Sequence, residues 1–410
     1  MRGALKMRTR GRSFATARVG SVFALFVAGA LALGTEAVGL VSAQASVPEG
    51  WTVGQAPAGG LVDGVSCISS TWCMGVGSTG KPTYKTFTAQ WDGQNWTPEA
   101  SPNPTGLAPG LQLVSCSSNT ACTAVGNYVN SSDTKRLPLV ERWDGVTWTI
   151  QTAPHAGANV IPSGLSCPSA NVCIAVAGTA GFTRREKLLA ERWDGTRWAV
   201  MQMPGEGTPK AVSCSSDNAC IAVGYPASNT KRPLAERWNG RTWTIQKTAT
   251  LPRDIYSSQL DAISCPSNSG CTAIGFSQRL CPPTASSCAT EPPLAEHWNG
   301  VGWKIERIPT PGPAGSYNVF SAVSCTSPTA CIAVGSSAAT TNPPAPARTL
   351  AATGNGARWT IQPSPNPNPG YSDGFSSVSC TASPTVTCLA VGSATSQSGT
   401  KVEPLVERYS

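Results

Sequence analysis

Two histidines in 410 residues leave little material for metal or general-base chemistry built on imidazole. Charge is also scarce: Asp, Glu, Lys and Arg make up 13% of the chain, with 22 acids against 30 bases. Most of the formal +8 vanishes on inspection. Six of the 30 bases (Arg2, Lys6, Arg8, Arg10, Arg12, Arg18) and one of the 22 acids (Glu36) lie in the first 45 residues, leaving 24 against 21, or about +3. That excludes a polybasic binder, and no nucleic-acid partner is expected, because the electrostatic footprint would have to lie in the folded part. Phe (8) and Tyr (7) are few, whereas Trp (13) is abundant. With 41 Gly and 34 Pro, together well above the usual ~12% of a globular chain, turns must be frequent and long helices few.

The amino terminus has the three parts of a secretory signal. Met1 to Arg18 is basic, Val19 to Leu33 is apolar or small, and Ala43-Gln44-Ala45 offers small residues at a cleavage site before Ser46. The alternative is a retained anchor over Val19 to Val41, where only Glu36 is charged. Residues 1–45 are therefore expected to be an export signal and 46–410 one domain, with no membrane span once the signal is removed. The product is then extracellular, secreted or surface-associated, where thiols oxidise.

Aligning the chain on its 16 cysteines reveals one unit repeated seven times. The first cysteines are Cys67, Cys116, Cys167, Cys214, Cys265, Cys325 and Cys380, spaced by 49, 51, 47, 51, 60 and 55 residues, and each follows a Ser. Twelve tryptophans share the unit, as pairs with four residues between them (Trp91/Trp96, Trp143/Trp148, Trp193/Trp198, Trp238/Trp243, Trp298/Trp303) or singly (Trp51, Trp359); only Trp72 lies outside it. Such a period marks a repeat architecture. Each unit reads as four short strands: one ending Val-Ser-Cys, one of the type Cys-Ile-Ala-Val-Gly, one of the type Pro-Leu-Ala-Glu-Arg-Trp, and one of the type Trp-Thr-Ile-Gln. Asp92-Gly93, Asp144-Gly145, Asp194-Gly195, Asn239-Gly240 and Asn299-Gly300 predict tight hairpins between the last two, with positive φ at successive residues. The seventh copy stops after its third strand at Glu407-Arg408-Tyr409-Ser410, while Gly50-Trp51-Thr52-Val53 matches a fourth strand. The amino-terminal strand is thus expected to complete the last unit and close a ring, which an open solenoid would not need.

On these residues the chain resembles a seven-bladed β-propeller, an all-β fold with four antiparallel strands per blade, related in architecture to the kelch, WD-repeat and Asp-box families. Its single glycines (Gly126, Gly224, Gly275, Gly335, Gly392) stand where kelch blades carry a Gly-Gly doublet, and adjacent Asp144-Gly145 departs from the Asp-box spacing. Ser-Cys, five residues, Cys, then Trp-Asp-Gly, two residues, Trp is similar to repeats of secreted actinobacterial proteins. That resemblance implies fold and export but no reaction.

Cys67/Cys73, Cys116/Cys122, Cys167/Cys173, Cys214/Cys220, Cys265/Cys271 and Cys325/Cys331 share one spacing, and Cys380/Cys388 is two residues longer. A local disulfide in each unit is the most economical pairing, each contributing about 2 kcal/mol on the loop-entropy model. Cys281 and Cys288 add a further small loop in the fifth unit. Metal or redox sites would need more His or Cys per cluster, so no metal and no cofactor is expected. The repeated Trp pairs read as core rather than sugar platforms. Glu141-Arg142, Glu191-Arg192, Glu236-Arg237 and Glu407-Arg408 place Glu beside Trp on one face and Arg on the other; glycosidase carboxylates are one interpretation, an ion pair or hydrogen bond repeated between units the other. His297 holds the Arg position of its unit and reads as structural, while His155 stands alone in a loop.

In a propeller the first-to-second and third-to-fourth turns share one face, and the remaining loops the other. Here the second face carries the length variation, where ligand sites are usually built. Its loops hold more cations than acids, with Lys135, Arg136, Arg184, Arg185, Lys231 and Arg232 the candidate binding residues for an anionic partner such as an acidic polysaccharide. Two functions survive: a monomeric, non-enzymatic binding or scaffold protein for a carbohydrate or protein, and a secreted glycoside hydrolase of sialidase-like type. The hydrolase needs several Arg and a Tyr/acid pair converging on the central channel. A kelch-type copper oxidase would need convergent His and Tyr ligands, which two histidines in unrelated contexts do not offer.

Overall fold

A computed structural model describes residues 50–80, 83–132, 135–153, 160–179, 187–226, 231–279, 292–312, 316–339, 345–368, 370–382 and 385–410. The expected export signal, His155, Arg184, Arg185, Cys281 and Cys288 lie outside the described residues. All regular structure among the described residues is strand, and no helix there is long and apolar enough to cross a membrane.

A short strand, β1 (Trp51–Val53), precedes a four-stranded sheet of β2 (Leu61–Ser69), β3 (Trp72–Ser78), β4 (Thr86–Trp91) and β5 (Trp96–Glu99). The next sheet is β6 (Leu107–Ser118), β7 (Ala121–Val129), β8 (Arg136–Trp143) and β9 (Trp148–Gln151). A seven-stranded sheet follows: β10 (Val160–Ser169), β11 (Val172–Thr179), β12 (Lys187–Trp193), β13 (Trp198–Ser216), β14 (Ala219–Pro226), β15 (Leu234–Trp238) and β16 (Trp243–Ile245). Two more four-stranded sheets are β17 (Ile255–Ser267), β18 (Gly270–Arg279), β19 (Pro293–Trp298) and β20 (Trp303–Glu306), then β21 (Tyr317–Ser327), β22 (Ala330–Ala338), β23 (Arg348–Gly354) and β24 (Trp359–Gln362). The last contains β25 (Tyr371–Thr381), β26 (Thr387–Ser396) and β27 (Val402–Tyr409), with β1 paired to β27 through Trp51 opposite Tyr409. All these pairings are antiparallel.

The seven-stranded sheet departs from the expectation of separate four-stranded units. β13 runs 19 residues, pairing with β12 up to Glu206 and with β14 from Gly207 onward, so it serves as the last strand of one unit and the first of the next. Length alone does not account for it, since Trp198 to Cys214 and Trp51 to Cys67 both span 16 residues, yet β1 and β2 lie in separate sheets.

A ring of hydrogen bonds joins the first strands of the units. The backbone N–H of each first cysteine donates to the Ser hydroxyl of the preceding unit: Cys116 to Ser66, Cys167 to Ser115, Cys214 to Ser166, Cys265 to Ser213, Cys325 to Ser264 and Cys380 to Ser324, at 2.9 to 3.0 Å. Cys67 N–H then donates to Ser379 at 2.9 Å and closes the circuit. This is the closed arrangement of a β-propeller, and it explains the invariable Ser-Cys of the repeat. Core clusters form between neighbouring sheets: Val62, Phe87, Trp91 and Trp96, for instance, pack with Leu389, Val391 and Val406 from the other end of the chain.

Each first strand also carries a β-bulge at an equivalent place, the extra residues being Asp63, Gln112, Ser163, Lys210, Asp261, Ser321 and Ser376. The bulge drives a backbone carbonyl against the second strand, which explains the recurrent glycines. A Cβ on Gly126, Gly335 or Gly392 would lie 1.9, 1.9 or 2.0 Å from the carbonyl oxygen of Gly110, Val319 or Gly374. At these three positions a residue without a side chain is required, whereas the third unit carries Ala177 at the equivalent place opposite Pro162.

Among the described residues seven local disulfides are present, Cys67–Cys73, Cys116–Cys122, Cys167–Cys173, Cys214–Cys220, Cys265–Cys271, Cys325–Cys331 and Cys380–Cys388, which implies an oxidising environment. The outer hairpins differ from expectation in one respect. Glycine alone has positive φ, +92° to +100° at Gly93, Gly145, Gly195, Gly240 and Gly300, while the preceding Asp or Asn does not. The loop is four residues long, and the Asp or Asn side chain accepts the N–H groups two and three residues on, as Asp144 does from Val146 and Thr147. An Asx cap therefore replaces the second positive φ of a two-residue turn. Asn355-Gly356 forms a sixth turn of this kind.

Candidate functional site

The symmetric residues are occupied by the fold. The five Trp pairs are buried, with ring centroids 5.4 to 6.0 Å apart. Trp51 is paired too, with Tyr409 at 5.5 Å, since Tyr stands in the last unit where five others have Trp and the sixth has Gly354. None of these rings presents a face to a ligand.

The Glu-Arg dipeptides join units in both directions. Glu141, Glu236, Glu296 and Glu407 are fully buried. Glu141 and Glu407 accept 2.8 Å hydrogen bonds from Ser101 and Ser364, the serines of the two Ser-Pro-Asn-Pro connections. Glu236 and Glu296 accept from the backbone N–H of Gly205 and Ala249. Burial pushes all four carboxyls up to about 7, against the smaller opposing effect of these hydrogen bonds. The arginines reach the following unit instead: the Arg142 guanidinium lies 4.5 Å from the Trp193 ring centre, and Arg237 6.0 Å from Trp298. The repeated hydrogen bond between units is thus what the glutamates make, and they are too enclosed to meet a substrate. His297, in the Arg position, has Nδ1 3.2 Å from the Thr272 hydroxyl and 3.5 Å from Glu306 Oε1.

What remains for function lies where the units differ, at the end of the sheets that carries the second-to-third loops and the connections between units. Lys135 and Arg136 are exposed at the start of β8, above a turn in which Asn130 N–H donates to the Lys135 carbonyl. Lys231 and Arg232 precede β15 and are braced against the connection leading to β17. Lys231 Nζ donates to the Arg253 carbonyl at 2.9 Å, and Arg232 donates to the Thr248 carbonyl and the Thr250 hydroxyl. Arg232 is half-buried and holds that connection in place, whereas Lys231 is exposed and uses one of its three N–H groups. The structure keeps the two basic pairs apart, on units separated by the one containing β10 to β12.

Sequence reasoning passed over the tyrosines. Tyr84, Tyr128, Tyr225, Tyr256, Tyr317 and Tyr371 all lie at this loop end, in the second-to-third loop, at the start of a first strand or at the end of a second. Four are substantially exposed: Tyr84 (41%), Tyr225 (42%), Tyr256 (46%) and Tyr317 (48%). The signal was available, because unlike Trp these residues hold no fixed place in the repeat.

The first strands carry no arginine, and their charged side chains are Asp63, Lys210, Asp261 and Asp373. Asp373 is buried, and Asp63 is half-buried with its carboxyl raised by desolvation. Asp261 accepts a hydrogen bond from Gln259. No group of three or more His, Cys, Asp or Glu among the described residues is placed to hold a metal ion.

No protein-family model matches the chain, and no curated protein matches it. Among solved structures it is similar to YCF48 bound to a D1 peptide, with 12% identity and a TM-score of 0.40 over 72% of this chain and 80% of the other. It is also similar to a GH74 xyloglucanase from Xanthomonas campestris, with 16% identity and a TM-score of 0.46 over 77% of this chain. The chain spans about half, 47%, of that xyloglucanase.

Proposed function

We propose that this is an exported seven-bladed propeller, with residues 1–45 as a removable signal, that acts as a non-enzymatic binding protein through its variable-loop face. The count of seven is supported by the seven-membered Ser–Cys hydrogen-bond ring and by the division of β13 between two units. The observation carrying the binding role is the segregation of aromatic types. Tryptophan is buried at symmetric positions, while exposed tyrosine is concentrated among the asymmetric loops alongside Lys85, Lys135, Arg136 and Lys231. Exposed aromatic rings beside cations suit a carbohydrate bearing acidic groups, the ring taking the apolar face of a sugar and the cation its carboxylate.

The hydrolase alternative finds less to build on. A sialidase-like site requires several arginines at the centre of the ring, and none of the first strands supplies one. Asp63 is the observation in its favour, since a half-buried carboxyl with a raised pKa is what an acid catalyst needs. A glycan array on the purified, disulfide-intact protein tests the proposal: retention of acidic glycans without cleavage is expected. Release of shortened glycans, lost in Asp63→Asn, would overturn it in favour of hydrolysis.

A further inference from the structure

Resting on that binding role, we infer that the saccharide site lies at the boundary between the β13–β16 and β17–β20 units, and that it selects acidic polysaccharide. Two exposed tyrosines stand there on packed neighbours. Tyr225 is at the end of β14, opposite Thr208, and β14 packs against β17, whose second residue is Tyr256. Tyr256 is the unpaired residue of a bulge between Ile255 and Ser257, a device that turns a side chain out of the ladder.

Two exposed cations, Lys231 and Arg253, are carried on segments that are tied to β17 and to each other. The buried Ser258 hydroxyl donates to the Lys231 carbonyl at 2.6 Å, tying the loop before β15 to the strand that carries Tyr256. Lys231 Nζ in turn donates to the carbonyl of Arg253, whose own side chain is exposed three residues before Tyr256. Arg232 anchors the same connection from beneath through Thr248 and Thr250. Two aromatic faces and two exposed cations are thus held on a braced framework, so little ordering is left to be done on binding.

The charge pattern separates ligand classes. Arg279 is paired with Asp254 at 3.6 Å within the same patch, so the surface is not a uniform positive track for a phosphodiester backbone. Discrete carboxylates on a sugar chain match two cations separated by stacking rings.

The test measures binding of polygalacturonate, with neutral dextran as the comparison, to the intact protein and to Tyr225→Ala, Tyr256→Ala, Arg253→Ala and Tyr256→Phe. Polygalacturonate is expected to bind in preference to dextran and to weaken with added salt. Each alanine variant is expected to lose roughly tenfold in affinity, while Tyr256→Phe, which keeps the ring, stays within about twofold, and all keep the parent melting temperature. Polygalacturonate binding unchanged in the alanine variants would overturn this location and leave the wider binding role standing. A glycan array silent for every glycan would remove both, and equal affinity for duplex DNA would refute the saccharide preference.

Discussion

The four buried glutamates should make this protein most stable in mild acid, and substituting one of them tests why. Each of Glu141, Glu236, Glu296 and Glu407 has its carboxyl raised from the ordinary 4.5 to about 7 by burial. Between those values the folded protein holds a proton that the unfolded chain has released. Protons bound to the native state exceed those bound to the unfolded one, so unfolding free energy falls as pH rises, by about 1.4 kcal/mol per pH unit for each group. Below 4.5 both states are protonated and the contribution is flat; above about 7 both are ionised and the full penalty, roughly 3 kcal/mol per group, is in place. The exposed turn aspartates act with opposite sign. Asp92, Asp144 and Asp194 are lowered by hydrogen bonds within their loops, Asp194 to about 2, so their stabilisation is lost as pH falls toward those values.

Glu141→Gln isolates one group of the four. Gln keeps the shape and still offers an oxygen to Ser101, but its amide inherits the place of Glu141 Oε1, which is buried without a hydrogen-bond partner. Absolute stability is therefore not the readout; the pH slope is. Urea unfolding of the disulfide-intact protein between pH 4.5 and 8 should show the variant's slope shallower by about 1.4 kcal/mol per pH unit through the middle of that range. Equal slopes in the two proteins would refute the claim that a proton is bound at Glu141 in the folded state.

Three further outcomes follow from single contacts. Gly335→Ala forces a methyl into the Val319 carbonyl and should cost about 1 to 3 kcal/mol in thermal unfolding, whereas Ala177→Gly, in the unit that already accepts a methyl at this place opposite Pro162, should cost less than about 1 kcal/mol. Glu306 accepts a 2.7 Å hydrogen bond from the Trp359 indole across a unit boundary; Glu306→Gln retains an acceptor, while Glu306→Ala leaves the indole N–H buried and unpaired, and chemical denaturation should separate the two by about 1 to 3 kcal/mol. Replacing Cys214 and Cys220 together by Ser should cost only about 2 kcal/mol, because the closed loop is short, and the protein should still fold with a melting temperature lowered by a few degrees.

The difference between what the chain disclosed and what it concealed follows from symmetry. A residue that recurs at a fixed place in seven copies is visible without a structure, and the Ser-Cys, the Trp pairs and the strand borrowed from the amino terminus were all legible in this way. Their causes were less so. The bulge that demands Gly126, Gly335 and Gly392 is a backbone displacement with no side-chain signature. The merging of two sheets at β13 has no signature in spacing or hydropathy, since the equally short link from Trp51 to Cys67 leaves β1 and β2 in separate sheets. Charge was a weak guide to the site, since Lys231 and Arg232 look alike in sequence yet one is exposed and the other half-buried in bracing a connection. The more informative quantity is departure from the repeat. Selection for a closed ring acts on every unit equally, so it favours identical residues; a ligand without sevenfold symmetry can be served only by residues that break the pattern. Tyr225 and Tyr256 break it and are exposed, on the loop end that also carries exposed Lys231 and Arg253. For a symmetric fold, residues that tile the repeat explain stability, and exposed aromatics that do not tile it are where a ligand should be sought.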